Sequence, residues 1–137
     1  MSKLQAKDLM IGDWVCFDGD TEYTNPVQID GISTEEACVD GDWYDVWEPI
    51  PLTLEILEKN GFCLEEEERG FSEPYQVYVN DEYQYVIKIY PKDGMDRYSK
   101  LIIGEYDDSE NMSLLINYVH ELQHALKLCG IEKEIQI

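Results

Sequence analysis

Alternating apolar and polar positions dominate the first third of the chain. Residues 12–17 predict a short strand that is entered through a glycine, and residues 26–32 show the two-residue period of a half-buried β-strand. Turn-forming residues separate the two segments. Two further apolar segments flank Asp40-Gly41, a dipeptide that favours the tight turn of a β-hairpin. The pattern predicts a β-rich module over residues 10–50, built from short strands as a small barrel or a strongly bent sheet.

A helical pattern follows over residues 53–60. Thr53 belongs to the residue types that cap helix N-termini, and Glu55 places a carboxylate in the first turn, where the helix dipole favours negative charge. Asn60-Gly61 ends the pattern, because glycine adopts the left-handed conformation of a helix C-terminus at little cost. These signals predict a short helix with a structural role.

Alternation returns over residues 74–106, where three apolar and aromatic segments predict an antiparallel β-meander. In the middle segment Tyr85, Ile87 and Ile89 fall on one face of the strand. Tyrosines in such strands are typical of half-buried packing positions.

The last periodic segment, residues 113–129, has the apolar spacing of an amphipathic helix. His120 and His124 fall on the side opposite to its apolar stripe. We therefore expect a single domain over residues 1–137, of the α+β class. The apolar stripe comprises Leu115, Tyr118, Val119, Leu122, Ala125, Leu126 and Cys129.

Charge adds information that the hydrophobic pattern lacks. The formal net charge is −20, from 30 acidic and 10 basic residues. Binding to nucleic acid or to an anionic membrane begins with basic side chains that neutralise phosphates, so this balance argues against both. It is typical either of a surface that keeps a protein in solution or of one that binds a basic protein partner.

The cysteines and the N-terminal segment indicate the compartment. Cys16, Cys38, Cys63 and Cys129 form no C-x-x-C pair, which argues against a zinc knuckle or a thioredoxin-type motif. Charged residues interrupt the N-terminal segment, and no apolar run approaches the roughly 20 residues that span a bilayer. We expect a soluble cytoplasmic protein with reduced thiols.

The last helical segment also contains a candidate for chemistry, the sequence His-Glu-Leu-Gln-His. His120 and His124 lie one helical turn apart, so both could bind one zinc ion, and Glu121 could act as general base to a metal-bound water. A third ligand is missing: Lys127 stands where the extended motif has glycine, and Gly130 stands where it has its third histidine. A minimal zinc peptidase is therefore the alternative hypothesis, and an ordinary amphipathic helix is the leading one.

A third hypothesis concerns three clustered aromatic residues, Trp43, Tyr44 and Trp47. They could form a ligand-binding surface, although aromatic residues on a hairpin more often fill a core.

Four short motifs, in this order, resemble those of a group of small bacterial proteins of the kind found in prophages and mobile elements. No activity is assigned to that group. The likeness covers nearly the whole chain, and its motifs are L-x-I-G-x-x-V at residues 9–15, P-I-x-L-T at 49–53, G-F at 61–62 and Y-V-H-x-L-Q at 118–123.

The resemblance implies roles for residues of the last helix. Glu121 and His124 are not part of its pattern, which implies that the zinc-like sequence is incidental. His120 and Gln123 are part of it, and we expect them to be structural, with hydrogen bonds to a neighbouring sheet. Asp13 departs from the pattern, in which asparagine often follows Ile-Gly.

Together these observations favour a non-enzymatic, acidic accessory protein of phage or mobile-element origin that binds a protein partner. In this interpretation the chain has no catalytic residue, no metal ligand and no cofactor. In the alternative, zinc is the cofactor, His120 and His124 bind it, and Glu121 is the catalytic base.

Overall fold

A computed structural model describes residues 3–67, 75–80, 85–90, 99–105, 110–131 and 133–137. The protein has the predicted α+β class, with antiparallel sheets, a β-meander and a C-terminal helix. No helix within the described residues has both the length and the apolar character that crossing a bilayer requires.

The contacts group the chain into two compact units. Unit 1 comprises residues Met1–Pro51 and Tyr118–His124, and unit 2 comprises Leu52–Asn117 and Ala125–Ile137. The prediction of a single domain over residues 1–137 stays a prediction.

Unit 1 contains six short strands in two small antiparallel sheets. Their sheet orders are β2-β1-β6 and β3-β4-β5. A 3-10 helix precedes the strands at Ala6–Asp8. The strands are β1 (Trp14–Phe17), β2 (Val27–Gln28), β3 (Gly31–Ile32), β4 (Ala37–Val39), β5 (Asp42–Tyr44) and β6 (Trp47–Pro49).

The core of unit 1 forms where the apolar faces of these short strands meet, because each strand alone is too short to bury much surface. Trp47 lies at 0% exposure within it, and Phe17 stacks on this indole with 5.3 Å between the ring centroids. The buried cluster comprises Leu4, Leu9, Val15, Ile29, Ala37, Val39 and Trp47.

The hairpin predicted at Asp40-Gly41 is confirmed. Val39 pairs with Asp42 across the turn, and both central residues have positive φ, 51° at Asp40 and 85° at Gly41. This is the turn geometry whose twist matches that of antiparallel strands.

Unit 2 begins with helix α1 (Leu54–Lys59), close to the predicted range 53–60. Thr53 is its N-cap as expected, since its side chain accepts a hydrogen bond from the backbone N–H of Ile56. Asn60 ends the helix and binds the last segment of the chain, because its side chain both donates to and accepts from the backbone of Gln136.

Within the described residues, the sheet of unit 2 has five antiparallel strands in the order β11-β10-β9-β8-β7. Its three central strands are the predicted meander, but the prediction for 74–106 missed one further strand at each edge. Residues 81–84 and 91–98, which connect the central strands, lie outside the described residues. The five strands are β7 (Cys63–Glu67), β8 (Tyr75–Asn80), β9 (Tyr85–Tyr90), β10 (Ser99–Glu105) and β11 (Glu110–Ile116).

The predicted helix over 113–129 is wrong at its start. Residues up to Ile116 belong to β11, and helix α2 spans only Val119–Leu128. The physical reason is strand pairing: Leu114 lies opposite Leu101 and Leu115 opposite Lys100, so β10 satisfies the backbone groups that a helix would use. Leu115, assigned to the apolar stripe of the helix, is an exposed strand residue.

Candidate functional site

A tight turn before β1 carries the first candidate residue. The backbone N–H of Asp13 donates to the carbonyl of Met10 at 3.1 Å, and Gly12 between them has a φ of 95°. The Asp13 carboxylate folds back over this turn, since its Oδ2 accepts the N–H of Met10 at 2.8 Å. The Ile-Gly-Asp sequence therefore buries a carboxylate, which is 0% exposed, beside the backbone of its own turn.

Gln123 of α2 binds the residues on both sides of Asp13. Its Oε1 accepts the N–H of Trp14 at 2.9 Å, and its Nε2 donates to the carbonyl of Gly12, also at 2.9 Å. The buried amide thus supplies both an acceptor and a donor to the backbone at the start of β1. This confirms the expectation, drawn from the resemblance, that Gln123 hydrogen-bonds a neighbouring sheet.

His124 completes the contact between α2 and the turn. Its Nε2 lies 2.6 Å from Oδ2 of Asp13, and its side chain is 25% exposed. A carboxylate removed from water requires such partners, because an unpaired buried charge is costly. We call Gly12, Asp13, Trp14, Gln123 and His124 the polar clamp.

His120 lies one helical turn before His124 and is buried, contrary to what its place opposite the apolar stripe suggested. Its ring is stacked near that of Tyr118 at 5.9 Å and meets the His124 ring edge-on at 5.5 Å. Burial lowers the pKa of His120 below its ordinary value, with the nearby Asp13 carboxylate acting in the opposite direction. Its Nδ1 is buried without a hydrogen-bond partner among the described residues, as is Oδ1 of Asp13.

Glu121, the candidate general base, is engaged at the start of its own helix. Its Oε1 accepts the backbone N–H of Tyr118 at 3.0 Å, which is the reciprocal half of a capping box. The structure thus brings His120 and His124 together but directs Glu121 to the helix N-terminus. Among the described residues, no group of three or more His, Cys, Asp or Glu side chains is arranged to hold a metal ion.

Sequence reasoning missed Asp13 as the partner of His124, which follows it by 111 residues. The available signal was the aspartate after Ile-Gly, the position at which the chain departs from the pattern of the expected resemblance. Asp13, the residue at that position, contacts His124, the second histidine of the His-Glu-Leu-Gln-His sequence.

The second candidate surface lies on the sheet β3-β4-β5. Trp43 of β5 is 47% exposed, although tryptophan in a monomeric protein is usually well covered. A Cβ added to Gly31 would lie only 3.5 Å from Cη2 of the Trp43 indole. The indole therefore lies across the sheet, over Cys38 and Gly31, which pair in register with Trp43.

Carboxylates lie near Cys38, the residue that pairs with Trp43. Asp42 precedes Trp43 in β5, and Asp40 lies in the turn between the strands. The backbone N–H of Asp40 donates to Oδ2 of Asp30 at 2.9 Å, which fixes a third carboxylate beside them. Burial and a hydrogen bond with Asp30 both raise the pKa of the Cys38 thiol, so Cys38 is a neutral part of the sheet. We call Asp30, Asp40, Asp42 and Trp43 the acidic hairpin.

No cation of the chain's own is close in sequence to these carboxylates. No Lys or Arg occurs between Lys7 and Lys59, while Asp and Glu occur throughout that stretch. Among the described residues, none of Asp30, Asp40 and Asp42 forms an ion pair. The acidic hairpin therefore combines exposed negative charge with an exposed aromatic face.

The predicted aromatic cluster separates into buried and exposed members. Trp47 is fully buried, and the Tyr44 ring packs edge-on against it at 5.4 Å and against Phe17 at 5.2 Å. Trp47 belongs to the core of unit 1, and Tyr44 covers it from β5 while remaining 41% exposed. Trp43, on the neighbouring position of β5, points to the opposite face. A binding surface can therefore use Trp43 but not Trp47.

A comparison with models of known protein families, with curated proteins and with solved structures returned no significant match to this chain. The resemblance drawn from the four short motifs stays a prediction.

Proposed function

We propose that this protein is a non-enzymatic accessory protein, of phage or mobile-element origin, that binds a basic protein partner in the cytoplasm through the acidic surface of unit 1. One observation carries the proposal: the acidic hairpin exposes carboxylates and an indole with no basic residue between Lys7 and Lys59 to neutralise them.

Physical chemistry supports a protein partner over the other classes. Exposed carboxylates repel phosphates, so a surface of this charge does not favour nucleic acid or an anionic lipid. Complementary charge accelerates association with a basic protein and disfavours acidic competitors. An exposed tryptophan adds the kind of residue that contributes most binding energy at protein interfaces.

The polar clamp supports a structural role for the last helix. Glu121 and Gln123 both use their side chains to bind backbone groups, and His124 binds a buried carboxylate. Each of these residues therefore has a role in folding that requires no substrate.

The experiment is affinity capture from a bacterial lysate at 150 mM salt, using the whole chain and a neutralised variant as separate baits. The variant replaces six acidic residues of unit 1 with their amides and so carries six fewer negative charges. These six residues are Glu22, Asp30, Glu35, Asp40, Asp42 and Asp45. Proteins captured by the unmodified bait alone are then purified and titrated against both baits.

We expect a basic protein whose affinity falls with rising salt and is lost with the neutralised variant, because the interaction is electrostatic. Capture of the same proteins by both baits, with equal affinities in the titration, would contradict the proposal.

A further inference from the structure

We infer that the acidic hairpin is a recognition site for an arginine side chain carried by an extended segment of the partner. This inference rests on the proposed function and adds the residue type that the surface binds. The guanidinium would stack on the open face of the Trp43 indole and receive charge compensation from the carboxylates of Asp30 and Asp40.

The indole is supported on one side and accessible on the other. A Cβ at Gly31 would come within 3.5 Å of Cη2 and 3.9 Å of Cζ2 of Trp43, so the ring lies close above the glycine backbone. Nearly half of the side chain is nevertheless exposed. A ring held in this way loses little conformational freedom when a ligand covers its open face, which favours binding.

Charge selects a cation as the ligand of this face. An aromatic ring attracts cations to its face through its quadrupole, and tryptophan does so most strongly. The exposed carboxylate of Asp30 hydrogen-bonds Cys38, which pairs with Trp43, and accepts the N–H of Asp40, so these two carboxylates add a net negative potential on this side of the hairpin. An uncharged apolar ligand would use the ring but would gain nothing from the carboxylates.

Arginine can bind both the indole face and the carboxylates better than lysine can. Its guanidinium is planar, so it can stack on the indole while its N–H groups point outward in the ring plane toward carboxylate oxygens. It is also less strongly hydrated than an ammonium group, which lowers the cost of leaving water. A lysine provides the positive charge, but it has no planar group that can stack on the ring while donating several hydrogen bonds.

The backbone beside the site suits an extended segment. Within the described residues β5 has a single neighbour, β4, and all three of its residues are exposed. Its outer edge therefore offers backbone N–H and C=O groups to a partner strand. Such a strand would place alternate side chains on the face that carries Trp43.

The probe is an acetylated, amidated peptide, Gly-Arg-Val-Arg-Val-Arg-Gly, titrated into the whole chain at 150 mM salt by calorimetry. A second peptide replaces each arginine with citrulline, which keeps the planar shape and removes the charge. A third replaces each arginine with lysine. Amide chemical-shift mapping on the unmodified protein locates the bound peptide without any substitution.

Two protein variants test the two features of the site. Trp43→Ala removes the stacking surface and is expected to weaken binding of the arginine peptide by about threefold to thirtyfold. Asp30→Asn combined with Asp40→Asn is expected to weaken it by about tenfold. Asn tolerates the positive φ of Asp40, so this pair keeps the turn.

A matched control removes the same charge elsewhere. Glu22→Gln combined with Glu35→Gln also neutralises two exposed carboxylates of unit 1, and we expect less than about a twofold loss because distant surface charges are screened. Trp43→Phe retains an aromatic ring and should give an affinity between those of Trp43→Ala and the unmodified protein.

The inference is supported when the arginine peptide shifts residues 31, 38 and 40–43, binds more tightly than the lysine peptide, and loses affinity with citrulline. Equal affinity for Trp43→Ala and the unmodified protein would overturn it. Equal losses for the Asp pair and the control Glu pair would also overturn it, since binding would then depend on total charge. These two results would leave the proposed function intact, because capture of a basic protein tests that function separately.

Discussion

Unit 1 uses aspartate in two opposite ways, in the polar clamp and in the acidic hairpin. Asp13 is fully buried and binds Met10 N–H and His124 Nε2, whereas Asp42 is exposed and has no ion-pair partner among the described residues. The comparison shows that the surroundings, and not the residue type, decide whether a carboxylate holds the fold together or remains available to a partner.

The other buried carboxylate of unit 1 follows the same rule as Asp13. Glu48 is 1% exposed, and Nζ of Lys3 donates to its Oε2 at 2.7 Å. Hydrogen bonds to Asp18 and Glu48 raise the pKa of Lys3 to about 12, so the ammonium stays charged. Buried carboxylates in unit 1 therefore bind a lysine or histidine side chain of the chain itself, whereas among the described residues those of the acidic hairpin bind none.

The largest effect is expected at the buried side of this comparison. Asp13→Ala leaves Met10 N–H and His124 Nε2 without their acceptor and should lower the free energy of unfolding by about 2–4 kcal/mol. The exposed counterpart Asp42→Ala should change it by no more than about 0.5 kcal/mol. Urea denaturation of both variants measures the difference, and equal effects would remove the distinction between the two carboxylates.

Two glutamines sharpen the comparison, because they donate to the same acceptor. Nε2 of buried Gln123 and Nε2 of exposed Gln28 both bind the carbonyl of Gly12, at 2.9 and 3.1 Å. Gln123→Ala should cost about 1–3 kcal/mol, since it leaves buried backbone groups unpaired. Gln28→Ala should cost less than about 0.5 kcal/mol, since water replaces its bond. Denaturant titration should show a larger loss of unfolding free energy for Gln123→Ala than for Gln28→Ala. The reverse order would contradict the stabilising role of Gln123 in the polar clamp.

A smaller effect should appear with pH at His120. Its pKa is lowered below 6.5 by burial, so the unfolded chain binds this proton more readily than the folded chain does. The contribution of His120 to stability is therefore complete above pH 6.5 and is lost as the pH falls through 6.5 toward the lower folded value. The charged groups that act on it are Asp8, Asp13, Glu121 and His124.

Two measurements check this sign. The stability advantage of the unmodified protein over His120→Gln should shrink as the pH falls from 7 to 5, measured by urea denaturation in matched buffers. An NMR titration of the ring should show a midpoint below 6.5 for His120. A midpoint at or above that value would show that burial does not control this group.

The smallest effect is expected from metal removal, which tests the alternative hypothesis that His120 and His124 bind zinc. A chelator should shift the melting temperature by less than about 1 °C, because Glu121 caps α2 and His124 binds Asp13. Elemental analysis of untagged protein provides an independent measurement. One zinc per chain, lost with His124→Ala, would contradict this prediction and restore the peptidase hypothesis.

Sequence patterns predicted the features that depend on neighbouring residues. The N-cap at Thr53, the end of α1 at Asn60 and the turn at Asp40-Gly41 each follow from chemistry within a few positions. The exposed indole on β5 was not separable in advance from the buried Trp47, because both belong to one short aromatic cluster.

Features that depend on distant residues were missed. The apolar residues of β11 were assigned to a helix, because their periodicity carries no information about the pairing of Leu114 with Leu101 in β10. The contact of Asp13 with His124 spans 111 residues and leaves no local pattern. The acidic hairpin was likewise not predicted, since the overall charge does not indicate which carboxylates lie near an exposed aromatic ring.

Unit 1 is built from two segments that are far apart in the sequence, and this affects the order of folding during synthesis. Residues 118–124 belong to the same compact unit as the first 51 residues, so its N-terminal strands emerge from the ribosome long before their last partner is made. Until then Asp13 lacks the histidine that pairs with it, and contacts of such long sequence separation form slowly. The N-terminal β module is therefore expected to stay incompletely folded, and open to proteases and chaperones, until α2 has been translated.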